Sequence, residues 1–332
     1  MDLTTTYMGL ELKNPVVASA SPLSKTVDGI KKLEDAGVSG VVMYSLFEEQ
    51  VKQEDADLDY FLSYGTESFG EALSYFPQMD VYGSTADEYL STISRASESC
   101  DIPIIGSLNG VSTKGWIDYA KKMEDAGAKG LELNIFFLPT DITTDGASVE
   151  AKYLEIVKAV KGIVSIPVAV KLNPYFSAVA NVAKKLDDAG ADALVLFNRF
   201  YQPDFNINAL EVDCSLDLST PSEVRLPLLW TATLAGQVKA SLGATTGIHT
   251  ADEAAKCILA GADIVMPASV LVKNGPAAAT PIVEGLSSWL DGSGYGSLAQ
   301  ARGAMSMAKV ADPAAFKRAN YIKVLKAEYL AN

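Results

Sequence analysis

The stretch KKLEDAGVSGVVM, which begins at Lys31, decides the fold because the chain repeats it. It recurs as KKMEDAGAKGLELN from Lys121, as KKLDDAGADALVLFN from Lys184 and, more loosely, as AAKCILAGADIVMPAS from Ala254. Each copy has the pattern of an amphipathic helix that ends at Ala-Gly and leads into a short apolar strand, since glycine readily adopts the left-handed conformation that closes a helix. The repeat therefore predicts a helix-to-strand unit used four times.

Four further apolar runs alternate with these copies: NPVVASA from Asn14, PIIGSLN from Pro103, PVAVKLN from Pro167 and ASLGATTGI from Ala240. Strands that alternate with helices pair in parallel, and apolar runs without polar alternation indicate a sheet covered on both faces. The eight strands predict an α/β fold, a (β/α)8 TIM barrel. We expect residues 1–332 to form a single domain of this kind.

The composition excludes several classes of protein. A net charge of −14 over 332 residues argues against nucleic-acid binding. The sequence has no leader and no long apolar stretch, which predicts a cytoplasmic enzyme without a membrane segment. One histidine, His249, excludes a multi-histidine metal site and a Ser-His-Asp triad built on any other histidine, and three widely spaced cysteines exclude a CxxC metal site. We expect no metal, and we expect His249 to be a solvent-exposed residue of a first helical turn.

Two segments are too long for ordinary connections, one after the second predicted strand and one after the sixth. Residues 46–84 carry nine acidic residues, one lysine and eight aromatic residues. Such a loop on the catalytic face is either a lid or a subunit contact, and both alternatives stay open. Residues 199–227 contain alternating LEVD and SLDLS pieces, which predict a small hairpin.

The C-terminal strand ends are the expected place for chemistry in a TIM barrel. Amides, hydroxyls and one lysine collect there, although asparagine also ends strands through its turn chemistry. The residues are Ser19, Ala20, Tyr44, Ser45, Asn109, Asn134, Lys171, Asn173, Asn198, Thr246, Gly247, Ala268 and Ser269.

Lys171 ends an apolar strand, and a buried ammonium needs a partner or loses its proton. Three interpretations stay open. Lys171 forms a Schiff base with a carbonyl substrate, or it contacts a flavin that becomes negative on reduction, or it makes a structural ion pair across the barrel mouth. The small residues of the seventh and eighth loops favour a bound phosphate. A cofactor with a terminal phosphate that reaches toward Lys171 has the shape of FMN.

The chain resembles the dihydroorotate dehydrogenase family over nearly its whole length, through KNPVVASA, PIIGSLNG, LELN, VKLNPYF and GIHTADEAAKCILAGADIVMPASVL. The resemblance implies an FMN-binding barrel that oxidises a CH–CH bond of a small molecule in pyrimidine biosynthesis. It also implies a homodimer, or a chain that works with a separate electron-transfer subunit. The residues that it assigns to FMN are Ala18, Ser19, Ala20, Ser45, Asn109, Asn134, Lys171, Asn198, Thr246, Gly247, Ala268 and Ser269, with Asn134 and Asn198 also on the substrate side.

The sequence departs from the family pattern at three places. Phe137 occupies the position of the family's Cys or Ser base, Tyr44 replaces a lysine, and Thr246-Gly247 replaces a pair of glycines. Tyr44 is the most plausible substitute proton donor or acceptor, provided that its pKa is lowered, and the alternative that it is a packing residue stays open. We therefore predict an FMN-dependent oxidoreductase with Lys171 and Tyr44 as catalytic residues and with altered or lost dihydroorotate activity. A Schiff-base aldolase and a non-catalytic flavoprotein subunit are the alternatives.

Overall fold

The computed structural model describes residues 1–48, 85–110, 113–199, 202–213 and 217–316. Most of the predicted insertion 46–84, together with Cys214 and residues 317–332, lies outside this part. The described strands are β1 (Thr5–Tyr7), β2 (Leu10–Leu12), β3 (Val41–Val42), β4 (Leu46–Phe47), β5 (Ile104–Asn109), β6 (Gly130–Asn134), β7 (Val168–Leu172), β8 (Ala193–Leu196), β9 (Asp204–Asn206), β10 (Glu211–Asp213), β11 (Ser241–Thr245) and β12 (Ile264–Met266). The described helices are α1 (Val27–Asp35), α2 (Thr85–Ser99), α3 (Thr113–Asp125), α4 (Gly146–Lys161), α5 (Val179–Asp188), α6 (Arg225–Leu234), α7 (Ala251–Ala260), α8 (Ser269–Asn274), α9 (Ala279–Gly292) and α10 (Leu298–Ala301).

One curved parallel sheet carries the fold, in the order β12-β11-β8-β7-β6-β5-β3, and β4 also pairs with β5. Residues 15–19 connect its two edges. The N–H of Val17 donates to the carbonyl of Val265 at 3.0 Å, and the N–H of Val42 donates to the carbonyl of Ala18 at 2.9 Å. The predicted α/β fold is confirmed, and the sheet is that of a TIM barrel whose first strand is reduced to isolated bridges. Pro15 contributes to this reduced strand pairing because it has no backbone N–H to donate.

The repeated helix ends are formed as the sequence predicts. Gly37, Gly127, Gly190 and Gly261 have φ angles of 96°, 103°, 97° and 124°. A residue with a β-carbon is strained in this left-handed region, so these four glycines turn the chain from each helix into the next strand.

The barrel interior is apolar at its N-terminal end and is closed there by the hairpin of β1 and β2. Tyr7 and Met8 of this hairpin pack against interior residues such as Val42, Ile105 and Ala169. The N–H of Met8 donates to the hydroxyl of Ser241, at the start of β11, at 3.1 Å. Because this end is closed, a ligand has to enter from the C-terminal ends of the strands.

A hairpin is present between residues 199 and 227, but it pairs Asp204–Asn206 with Glu211–Asp213, so LEVD supplies one strand and SLDLS is not the other. Among the helices of the described ranges, none has both the length and the apolar composition that crossing a bilayer requires.

Candidate functional site

A cavity of about 290 Å³ opens at the C-terminal mouth of the barrel, which is close to the lower limit of small-molecule sites. The structure brings eight predicted residues together in its wall, from strands that are far apart in sequence. They are Ser19, Ala20, Lys171, Asn198, Thr246, Gly247, Ala268 and Ser269.

Lys171 is the buried cation of this wall, with 7% of its surface exposed. Its Nζ lies 3.3 Å from Oε1 of Glu132 and 3.4 Å from the hydroxyl of Ser19. An ion pair is therefore formed, with a buried carboxylate of the neighbouring strand β6 rather than across the barrel mouth, and the same lysine lines the cavity. Removing one partner of such a pair leaves an uncompensated buried charge, which destabilises a protein by about 3–5 kcal/mol.

Small residues and hydroxyls form another part of the wall, at the ends of β11 and β12. Thr246 and Gly247 have positive φ angles of 76° and 80°. The hydroxyl of Ser219 bonds to that of Ser269 at 2.8 Å, and the N–H of Gly247 donates to Ser219 at 3.3 Å. Ser219 was not identified from the sequence, because it lies in a segment that was interpreted only as a hairpin.

Two of the strand-end asparagines meet directly. Nδ2 of Asn198 donates to Oδ1 of Asn134 at 2.7 Å, so Asn134 orients a residue of the cavity wall. Asn173 points elsewhere and donates to the hydroxyl of Tyr153 at 3.0 Å. Asn109 lies beside Glu48 and Trp116 in a separate small pocket. The four amides thus do not form one cluster.

Three further predicted residues do not line the cavity. Ala18 belongs to the pairing that closes the barrel, and Ser45 bonds to Ser107 at 2.9 Å. The Tyr44 ring packs edge-on against Tyr89, with ring centroids 4.9 Å apart. Burial raises the pKa of Tyr44 and the carboxylate of Glu88 raises it further. The condition for Tyr44 to act as a base, a lowered pKa, is not met, and the ring contact with Tyr89 is that of a packing residue.

Phe137 offers no proton acceptor at the position where the resemblance implies a base. It is half-buried, and Nζ of Lys152 lies 3.9 Å from the centre of its ring. This distance is that of a cation–π contact. The position is therefore occupied by an aromatic ring held next to a cation.

A second cavity of about 300 Å³ adjoins the first and shares Phe197, Asn198, Arg199 and Thr246 with it. Nε of Arg199 donates to Glu223 at 3.1 Å, which fixes the guanidinium at the boundary. The sequence analysis did not identify Arg199, because it lies one residue after the predicted strand end at Asn198. Its positive charge next to a strand end could have identified it.

His249 corrects one further expectation. Its Nε2 is buried without a hydrogen-bond partner in the described structure, so the side chain is not the solvent-exposed residue that was predicted. The residue lies just before α7 and is half-buried.

The cavity wall fits FMN in its donor set. Lys171 can face a ring that becomes negative on reduction, and hydroxyls and small residues at the ends of β11 and β12 allow a phosphate to approach the backbone. The two cations of the wall, Lys171 and Arg199, are paired with Glu132 and Glu223, so they offer N–H donors to an anionic group rather than an excess of positive charge. The wall therefore suits an anionic cofactor.

Comparison with known proteins finds related sequences over much of the chain. Residues 78–290 match the family model described as dihydroorotate dehydrogenase. The catalytic subunit of dihydroorotate dehydrogenase B (NAD(+)) from Thermoplasma acidophilum is 24% identical over 298 residues, which cover 87% of this chain and 94% of that protein. The corresponding subunit from Methanocaldococcus jannaschii is 29% identical over 202 residues, 59% of this chain and 62% of that protein. The second match thus spans less than two thirds of its relative's length.

Proposed function

The chain belongs to the dihydroorotate dehydrogenase family, and from this we propose that it is an FMN-dependent oxidoreductase that acts on a CH–CH bond of a small molecule. Dihydroorotate itself is proposed to be a poor substrate or none. The observation that carries the proposal is the buried Lys171 in the wall of a cavity whose other side is made of small and hydroxyl residues.

Each part of the wall has a proposed role toward FMN. Thr246, Gly247, Ala268 and Ser269 hold the phosphate, while Ser19, Ala20 and Lys171 face the ring. Asn198, oriented by Asn134, contacts the substrate. FMN supplies the acceptor for the hydride, and the ammonium of Lys171 stabilises the negative charge that follows. Ala18, Ser45 and Asn109 lie outside the cavity wall, and their proposed role is to hold the residues of the wall in place.

The ion pair of Lys171 favours this chemistry over the Schiff-base alternative. A Schiff base needs a free amine, whereas Nζ of Lys171 is held by a carboxylate oxygen at 3.3 Å and a hydroxyl at 3.4 Å, an arrangement suited to an ammonium group. The ammonium form is the one that an electron-accepting ring requires nearby.

The first prediction tests cofactor and lysine together. The purified protein should take up FMN and quench its fluorescence. Lys171→Ala should then lower the midpoint potential, by about 30 mV for each tenfold loss in preference for reduced over oxidised FMN. Lys161→Ala is the matched control, because Lys161 has its own carboxylate partner, Asp192, at 2.7 Å on another part of the barrel. Absence of FMN uptake by the wild-type protein would refute the proposed function.

We also propose a homodimer, supported by the hairpin of β9 and β10. Phe205, Ile207, Leu210 and Val212 are 69%, 80%, 89% and 55% exposed. The strand register sets Phe205 and Val212 on one face and the pair Asp204 and Asp213 on the other. A second copy of the chain can therefore bury the apolar face of the hairpin. The carboxylates of the opposite face then point away from the interface, which limits the repulsion between two acidic chains. The alternative to a homodimer that acts alone is a separate electron-transfer subunit, because the relatives are described as catalytic subunits.

The second prediction is that the double substitution Phe205→Glu and Leu210→Glu halves the mass measured by light scattering, to that of one 35.2 kDa chain. The carboxylates would have to be desolvated in the interface. Asn206→Glu adds a charge to the opposite face and should leave the dimer intact. A wild-type monomer, or a double variant that stays dimeric, would contradict the assignment.

A further inference from the structure

Glu132 is the most buried charged group near the cavity, with 1% of its surface exposed. It stands behind Lys171, because Lys171 lines the cavity and Glu132 does not. Its Oε1 accepts from Lys171, while its Oε2 is buried without a hydrogen-bond partner in the described structure. A buried carboxylate in a protein interior is normally retained only where its charge is compensated.

The surroundings of Glu132 leave Lys171 as its compensating charge. Ser107 stands opposite Glu132 in the register of β5 and β6, and its hydroxyl bonds to Ser45. The phenol of Tyr7 is also buried, and burial, with the charge of Glu132 second, raises its pKa well above the usual value. Within the described residues, Lys171 is the cation that pairs with Glu132.

We infer that Glu132 is a positioning residue that holds the Lys171 ammonium toward the cavity and, through its own charge, sets the midpoint potential of the cofactor there. The inference rests on the proposed FMN site. A lysine has three N–H groups. One of them meets Glu132 and one meets Ser19, at 3.3 and 3.4 Å, so the third is available to a ligand in the cavity.

The sign of the effect follows from the charges. Reduction places negative charge on the ring, which the ammonium stabilises and the carboxylate opposes. Glutamine keeps an oxygen that accepts from Lys171 but removes the negative charge. Glu132→Gln should therefore favour reduced FMN over oxidised FMN, whereas loss of Lys171 should do the reverse.

The test is a redox titration of the FMN-loaded protein. Glu132→Gln should raise the preference for reduced FMN about tenfold, which is a rise of about 30 mV in the two-electron midpoint potential. Glu124→Gln is the matched control, because Glu124 pairs with Lys121 at 2.8 Å at the end of α3 and outside the cavity wall. An unchanged or lowered potential in Glu132→Gln would overturn the inference.

Thermal unfolding of the cofactor-free protein decides the pairing independently. Glu132→Gln should lower the Tm, because Lys171 then stays buried without a counter-charge, and adding Lys171→Met should recover part of the loss. If the Tm losses of Glu132→Gln and Lys171→Met simply add in the double variant, the claim that Glu132 holds Lys171 is overturned. If the wild-type protein takes up no FMN, the proposed function fails and the claim about the potential fails with it, but this cycle still decides whether the two residues act together.

Discussion

Dihydroorotate should reduce the FMN-loaded protein about 10²–10⁴-fold more slowly than it reduces a family member that has the Cys or Ser base, because this is what a general base contributes. Neither Phe137 nor Tyr44 lines the cavity, the ring of Phe137 cannot accept a proton, and the pKa of Tyr44 is raised. Anaerobic stopped-flow absorbance measures the bleaching of the oxidised flavin. A panel of other saturated organic acids, run in parallel, tests which compound bleaches it faster. Bleaching by dihydroorotate at the rate of such a family member would show that another group has replaced the base.

A gain-of-function variant tests whether restoring a base at position 137 restores the reaction with dihydroorotate. Phe137→Cys places a thiol where the ring now contacts Lys152, 3.9 Å from its centre. A neighbouring ammonium lowers the pKa of a thiol and so supplies more thiolate near neutral pH. Bleaching by dihydroorotate should then rise by at least about tenfold. Phe136→Cys, one residue earlier in the same loop, is the control and should leave the rate unchanged.

The sequence was sufficient for the fold because its information is local and repeated. Gly37, Gly127, Gly190 and Gly261 are each required by a left-handed turn, and each is followed by an apolar strand. Parallel strands separated by helices have few ways to close. The sequence predicts a regular first strand. In the structure this segment pairs through isolated bridges at Val16 and Ala18, and Pro15 has no N–H to donate.

The site was predictable only in part, because strand ends indicate which residues reach the mouth but not where their side chains point. Lys171 and Ser269 line the cavity as expected, whereas Tyr44 turns to Tyr89 and Asn173 turns to Tyr153. The directions of these side chains depend on their partners Tyr89 and Tyr153, which lie in helices α2 and α4. Glu132 was hidden for a similar reason, since within LELN it has the pattern of an interior strand residue, and only the distance to Lys171 reveals its role.

The left-handed pair Thr246-Gly247 predicts one destabilising substitution and one that is nearly neutral. Gly247→Ala should lower the free energy of unfolding by about 2–4 kcal/mol, through an unfavourable φ and overpacking. A β-carbon on Gly247 would lie 2.3 Å from the backbone nitrogen of Val224, which cannot move without shifting the start of α6. FMN uptake should fall with it, since Gly247 lines the cavity. Urea unfolding and flavin fluorescence measure the two effects.

Thr246→Gly should instead leave the free energy of unfolding within about 1 kcal/mol of the wild-type value. Relief of a left-handed threonine is worth about 1–2 kcal/mol. The variant also loses the hydrogen bond from the Thr246 hydroxyl to the carbonyl of Phe197, at 3.0 Å, and gains the chain entropy of glycine in the unfolded state. These two losses together amount to about 1–2 kcal/mol, so they offset the relief. Thr246→Ala keeps the strain and loses the bond, and it should be the less stable of the two. A large stabilisation by Thr246→Gly would mean that the hydroxyl does not compensate the strained backbone at the mouth of the cavity.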